Sequence, residues 1–385
     1  MPYFSFIINK NIDFQSNKDL NKFELNTKYY SKDTKLWKKL TKFKKKNFSF
    51  HLNSEIRKYY KKNYNSILFC LPPNIGLGDA IEYSLAIKSI EQNIKNIKIG
   101  LAHIGRFEYV FKNLFKFKEI YDNISETELN SFDSIFHFTL EIEDLALQKY
   151  DRKNIEKLIT NFFKVPIYRK QNFFKRKFNE KKIISIFPLS NSPIRSLPLS
   201  IIDGIINKFI NEYKIEIFLD SASPMSNLIF NNLSYLKNIT FIDPINVKEL
   251  ILKVKKINFG IFPDSGPLHV AKFFDRRGVL IVSSVDEKIL LDQFDSIKSI
   301  KSNYKSEYCN GPCGLINAFE INNISGCYDS LKIQKEKILE TKNLQSLQRG
   351  QLKNNYTNMY IKSFNCYNEF KNIKINNLIK KTLKE

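Results

Sequence analysis

Residues Pro263 to His269 read PDSGPLH and place an acid, a hydroxyl, a glycine, a second proline and a histidine directly after an apolar run. Pro267 suits the first turn of a helix, where its missing N–H costs nothing. Backbone N–H groups near Ser265, Gly266 and Leu268 then point out of the helix start, and the macrodipole makes that end attractive to an anion. Gly266 lets a phosphate approach closely. The Asp264 carboxylate repels a phosphate unless its charge is engaged, so it is expected to cap backbone donors or to accept ligand hydroxyls. The His269 side chain leans back toward the helix start and is placed to donate a hydrogen bond to a bound anion. A catalytic base, a metal ligand and an ordinary polar residue near a helix start are the other roles these residue types leave open.

Two further loops carry residues suited to chemistry. In PLSNSPIRSLP, Pro188 to Pro198, Ser190, Asn191 and Ser192 offer short donors, and Arg195 offers a planar fork suited to a diphosphate. In NIGLGDAIE, Asn74 to Glu82, Gly76 and Gly78 suggest a dinucleotide loop, but Ile81 stands where the G-x-G-x-x-G pattern needs its third glycine. Asp79 opens the following helix instead. A carboxylate there repels pyrophosphate, which argues against NAD. It suits a general base if it faces a cleft, or a plain N-cap if it does not.

The elements that must position these loops alternate between strand and helix. Short apolar strands are expected at Ile67 to Leu71, Ile97 to Leu101 and Ser134 to Phe138, with a helix from about Asp79. A second series begins with a strand at Ile183 and runs through strands ending near Leu219, Ile242, Phe262 and Val282. Helices are expected between them, including one over PLHVAKFF after the opening motif. Alternation of this kind predicts parallel sheets, with ligands at the carboxyl ends of the strands. The fold class is therefore α/β, with two Rossmann-like domains facing each other across a cleft. The expected division is a basic extension over 1–64, an N-terminal Rossmann-like domain over 65–165, a C-terminal Rossmann-like domain over 183–330, and a polar, helical, partly disordered tail over 331–385.

The segments GLGDAIEYSLAI, FPLSNSPIRSLPLSII and PDSGPLHVAKFF, in this order and spacing, resemble glycosyltransferase family 9, the ADP-heptose:lipopolysaccharide heptosyltransferases and their relatives. The likeness runs from about residue 66 to 330, and the D-S-G-P-x-H segment is its most specific element. It implies a GT-B fold whose C-terminal domain binds a nucleotide-sugar and whose N-terminal domain binds the acceptor. By the resemblance, Asp79 matches the catalytic base, and Asp264, Ser265, Gly266 and His269 match the donor-diphosphate loop. Ser190, Asn191 and Arg195 join the donor side, and Gly76 and Gly78 the acceptor side. Arg195 stands where the family commonly has lysine, and Leu197 where it has tryptophan. The segment DSASPMSN, Asp220 to Asn227, has no glutamate of the kind that often holds the nucleoside. The expected activity is inverting, metal-independent transfer of heptose or a related sugar, with an ADP-sugar favoured, to a lipopolysaccharide-core, lipid-linked or other glycan acceptor in a bacterial setting. A non-catalytic nucleotide-sugar-binding protein on a degenerate GT-B fold is the alternative. No cofactor or metal is expected.

Composition narrows the remaining classes. The chain has 385 residues and a formal net charge of +23. Only nine of its 62 basic residues are arginine, which is poor in the forks that read bases and phosphates, so no nucleic-acid partner is expected. No apolar run approaches the length of a membrane span, and the start of the chain lacks the pattern of a signal peptide, so a cytoplasmic location is expected. Residues 35–46, KLWKKLTKFKKK, form a basic amphipathic helix. It reads either as a peripheral contact with the inner membrane or as a helix that packs Trp37 onto the first domain. Five cysteines argue against a secreted disulfide framework, and Cys309, Cys313 and Cys327 lack a nearby fourth ligand for a closed zinc site.

Overall fold

The computed structural model describes residues 4–9, 23–31, 34–40, 48–51, 65–72, 75–103, 107–138, 154–168, 182–292, 294–322, 324–334, 336–337, 345–346 and 353–384. The chain divides into two compact units, Met1–Arg169 and Lys170–Glu385.

The first unit holds two sheets. Strands β1 (Phe4–Ile8), β2 (Lys28–Ser31) and β3 (Phe48–His51) join with β7 (Ile124–Ser125) in the order β3-β1-β2-β7. Strands β4 (Ser66–Cys70), β5 (Lys98–Ala102), β6 (Glu119–Tyr121) and β8 (Ser134–His137) form a parallel sheet in the order β6-β5-β4-β8. Ile67, Leu68 and Phe69 are fully buried, which is why β4 reads as a continuous apolar run and not as an alternating one. The helix Leu77–Asn93 buries Ala80, Ile81, Ile87 and Ile90. Rings of Phe69, Phe136, Phe138 and Phe163 contact one another in the core.

The N-terminal residues are more than a basic extension. Their strands pair with β7, Tyr29 opposite Ser125, and so belong to the first unit. The helix Thr34–Leu40 turns Leu36 and Leu40 into a cluster with Phe6, Ile8, Phe23 and Tyr29, and Trp37 packs against the same cluster. Leu36 and Leu40 are covered by protein and Trp37 is half-buried against them, which is the packing alternative of the two roles. Residues 41–46 of the same basic stretch lie outside the described residues.

In the second unit, β9 (Ile183–Ile186), β10 (Lys214–Phe218), β11 (Ile239–Ile242), β12 (Phe259–Phe262), β13 (Arg277–Val282) and β14 (Ile297–Lys301) form a six-stranded parallel sheet. Its order is β11-β10-β9-β12-β13-β14. The chain builds outward from β9 to β11, then returns to the other side of β9. The neighbours β9 and β12 therefore flank the switch point, where the loops leaving their carboxyl ends open a crevice. Strands β15 (Phe319–Ile321), β16 (Ile324–Gly326) and β17 (Gln345–Ser346) make a small antiparallel sheet.

The expected tail after residue 330 is part of this unit's core. Helices Lys353–Ile361, Asn365–Asn368 and Asn372–Lys384 and the connections between them supply Tyr360, Phe364, Tyr367, Phe370, Ile375 and Ile379 to the main apolar cluster. The lysine-rich composition hides the spacing of Ile375, Leu378 and Ile379, which is that of an amphipathic helix. Asn376 anchors it by donating to the Gly204 carbonyl at 3.2 Å.

Candidate functional site

The switch point brings two of the three sequence motifs together. After β9 the chain makes a short 3-10 turn, Pro193–Arg195, with Pro193 in its first position. The turn is fixed by its own serines. The Ser190 N–H donates to Ser196 Oγ at 2.9 Å, and Ser196 Oγ donates to the Ser192 carbonyl at 3.1 Å. Ile194 and Leu197 anchor the loop in the core, so Leu197 serves as a packing residue. Asn191 is exposed and Ser190 half-buried.

Arg195 reaches from this turn to the loop after β12. Its Nη1 lies 3.0 Å from Asp264 Oδ2, and its Nε donates to the Ile316 carbonyl at 2.9 Å. The two charged side chains are 13% and 12% exposed, dry enough for the pair to hold its geometry. The charge of Asp264 is thus engaged, as its place beside an anion site requires. Its partner within the protein is Arg195 and not a backbone donor, because β9 and β12 are adjacent and bring a residue 69 positions away within reach.

The helix Gly266–Phe273 begins with Ser265 as N-cap and Pro267 in the first turn, as expected. No side chain caps this start, and the Ser265 hydroxyl turns back to the Pro263 carbonyl at 3.3 Å. The first backbone N–H groups of a helix lack intrahelical partners, so an uncapped start suits an anion.

His269, half-buried in the first turn, has a neighbour that sequence reasoning missed. Lys272 Nζ lies 3.5 Å from His269 Nδ1 and 4.8 Å above the Phe294 ring, and Lys272 is only 2% exposed. Which of the two nitrogens gives the proton in this contact depends on the ring's tautomer; with Nδ1 as acceptor, Nε2 is the donor left for a ligand. The signal in the sequence was the three-residue separation of His269 and Lys272, which puts both on one helix face.

Asp79 lies in the first unit. The helix there starts at Leu77 with Gly76 as N-cap, two residues earlier than expected, so Gly78 falls inside the first turn and not in the loop. Asp79 takes the third helical position and accepts the Gly76 N–H at 2.8 Å on Oδ2. This reach back to the cap lets the helix begin ahead of its acid. One turn on, Glu82 is buried and accepts from Asn154 Nδ2 at 3.0 Å, while Asn154 also caps the helix Ile155–Phe162. Glu82 therefore braces packing.

Neither a protein-family model nor a curated protein sequence matches the chain. Solved structures do. A glycosyltransferase of family 9 from Veillonella parvula matches with a TM-score of 0.50 at 12% identity, over 74% of this chain and 99% of that one. The fold is that of glycosyltransferase family 9. An iron-containing dodecameric glycosyltransferase, TibC, from enterotoxigenic E. coli matches with a TM-score of 0.51 at 13% identity, over 86% of this chain and 81% of that one. The heptosyltransferase WaaC of E. coli is also similar, at 9% identity over 61% of this chain and 93% of its own, with a TM-score of 0.46. Shared architecture thus makes the parallel sheets of this chain those of a GT-B fold.

Next to the Pro193–Arg195 turn lies a cavity lined by Cys309, Cys313, Cys327 and Cys366, together with Ile194 and Asp329. Cys309 is hydrogen-bonded to Cys313, and this bond, then burial, pushes its thiol far above the usual range. Burial, with Cys327 and Cys313 close by, pushes Cys366 up to about 12. Cys309 and Cys366 are therefore held as thiols. Among the described residues no set of three or more His, Cys, Asp or Glu is arranged to hold a metal ion.

Asp329 in the same cavity accepts from Tyr304 Oη at 3.1 Å and Asn365 Nδ2 at 2.7 Å. Burial alone would raise its carboxyl, but hydrogen bonds from Ser306, Asn365 and Tyr304 outweigh that and hold it below the usual carboxylate range. An acid held lower in the folded state contributes stability above its unfolded value, about 3.9, and loses that contribution as pH falls through its folded value. The melting temperature of the wild type is expected to fall on acidification below about pH 4, and Asp329→Asn to flatten that part of the profile. Identical acid limbs for the two proteins in a pH series of thermal melts would refute the assignment.

Proposed function

We propose that the protein is a glycosyltransferase that moves a sugar from a nucleoside-diphosphate sugar to a glycan or lipid-linked acceptor. The observation that carries this reading is the placement of Arg195 beside an uncapped helix start at the switch point of the second sheet. A guanidinium fork, backbone N–H groups and a His269 Nε2 donor form a set suited to a diphosphate. The GT-B architecture puts such a set to use in sugar transfer. Heptose or a related sugar, an ADP carrier and a lipopolysaccharide-core acceptor in a bacterial cell are the finer reading, and they rest on the motif resemblance.

The chemistry is a single displacement with inversion. Asp79 takes the proton from an acceptor hydroxyl as that oxygen bonds to the anomeric carbon. The bond from that carbon to the diphosphate oxygen breaks, and its electron pair leaves with the nucleoside diphosphate. Arg195, the helix start at Gly266 and the His269 Nε2–H meet the developing charge, so these residues need no metal ion to do so. The proposed location is cytoplasmic. No described helix is long and apolar enough to cross a membrane. The covered apolar face of Thr34–Leu40 gives a membrane contact through 35–46 no support.

A second reading, a nucleotide-sugar-binding protein without turnover, draws on one observation: an oxygen of Asp79 is engaged by the Gly76 N–H. A thermal-shift panel of nucleotides and nucleotide-sugars, followed by an acceptor assay, separates the two. A preferred diphosphate at a hundred times its Kd is expected to stabilise the wild type by about 2.7 kcal/mol. Arg195→Ala is expected to lose that shift. Stabilisation by no nucleotide diphosphate at all would sink both readings, whereas binding with no transfer to any acceptor would favour the second.

A further inference from the structure

The turn that carries Arg195 is held at two points, one on the cysteine-rich segment after β14 and one at the end of β13. From one side, Ile316 accepts the Arg195 Nε–H on its carbonyl at 2.9 Å. From below, Ser283 Oγ donates to the carbonyl of Ile194, the residue before Arg195, at 2.6 Å. The residues leading to Ile316 are themselves held. Leu315 N–H donates to Cys313 Sγ at 3.4 Å, and Gly314 N–H donates to the Ser284 carbonyl at 2.5 Å. Gly314 has φ 76°, a backbone region that suits glycine and strains other residues. Ser283 and Ser284 follow β13, and both line the cavity that holds the four thiols, with Ile194 as another of its walls. The backbone on both sides of the guanidinium therefore rests on the thiol cavity.

We propose that Ser283 and the turn Cys313–Ile316 are positioning elements that hold Arg195 in place for a nucleoside diphosphate, and that they couple donor binding to the accessibility of the cavity thiols. This rests on the reading of the donor site given above. An arginine whose Nε and carboxylate partner are both fixed presents its remaining N–H groups in one direction. A diphosphate that draws on those groups stabilises the held arrangement, and by linkage anything that loosens the turn weakens the diphosphate. The same linkage requires the bound diphosphate to keep the turn closed over Cys313.

The experiment has two arms on the full chain, with the nucleoside diphosphate that the thermal-shift panel selects. In the first, Ser283→Ala and Gly314→Ala are titrated with that ligand. Loss of the Ser283 hydrogen bond is expected to weaken binding about five- to tenfold, and Gly314→Ala at least as much, while Ser283→Ala melts within a few degrees of the wild type. In the second, the thiols of the wild type are titrated with Ellman's reagent with and without the ligand. Saturating diphosphate is expected to slow modification of the cavity thiols several-fold, an effect that packing alone does not produce. Unchanged affinity in Ser283→Ala, together with labelling rates indifferent to ligand, overturns the inference while leaving the donor site standing. If Gly314→Ala does not fold, Ser283→Ala and the labelling arm decide. Failure of the wild type to bind any diphosphate removes the donor site itself, and the coupling with it.

Discussion

Asp79→Asn is expected to lower sugar transfer by about 100- to 10,000-fold, the range that general-base catalysis commonly supplies. Asparagine keeps the size and still accepts the Gly76 N–H through its amide oxygen, so the helix start at Leu77 survives. It cannot take a proton from an acceptor hydroxyl. The proposed nucleotide site, Arg195, Asp264 and the Gly266 helix start, lies in the other unit, so nucleotide binding is expected to stay at the wild-type level. Single-turnover transfer measured beside ligand titration separates the two effects. Full transfer activity in a folded Asp79→Asn protein would remove Asp79 as the base and leave it a helix cap.

Phe262→Ala is expected to destabilise the second unit by about 3–5 kcal/mol, the usual cost of emptying a fully buried phenylalanine site. Phe262 is fully buried and stacks on Phe187 at 5.0 Å, and Phe187 stacks on Phe218 at 4.2 Å. The three rings lie at the carboxyl ends of β12, β9 and β10. Two glycines beneath the first ring make room for it: a Cβ on Gly260 would meet the ring at 2.1 Å, and one on Gly278 would meet the Gly260 carbonyl at 2.3 Å. Neighbours without side chains cannot shift into the space, so the cavity stays open. Such a loss is a large share of the roughly 5–15 kcal/mol that holds a typical domain together. Because Phe262 directly precedes Pro263 and Asp264, the donor loop is expected to loosen with it. Urea unfolding of the second unit followed by near-ultraviolet circular dichroism reads the change. A shift under about 1 kcal/mol would mean that the ring stack is not part of the sheet's support.

The alternating strands and helices of both sheets were legible because parallel strands buried on both faces appear as short apolar runs, as Ile67 to Phe69 and Val279 to Val282 do. The start of the Gly266 helix was legible for a local reason, a proline in its first turn. The partner of Asp264 was not legible, since the pairing of β9 with β12 is a property of strand order, and no spacing in the sequence reports it. Lys272 passed for one more surface lysine among many. Only burial against Phe294 distinguishes it. The N-terminal strands β1 to β3 were hidden by the basic residues around them, and the helices after residue 353 by a composition that outweighs their periodicity.

The helix Asn372–Lys384 lies along β13 and the helix Leu199–Phe209, and Arg277 donates to its Thr382 carbonyl. The ribosome finishes the strands of this sheet more than seventy residues before it delivers that helix. Until then Ile202, Ile206 and Val279 of the growing chain lack the cover that Ile375 and Ile379 provide. The second unit is thus completed late in synthesis, and a chain cut short before residue 372 carries an open apolar face, a substrate for chaperones and proteases more than for sugar transfer.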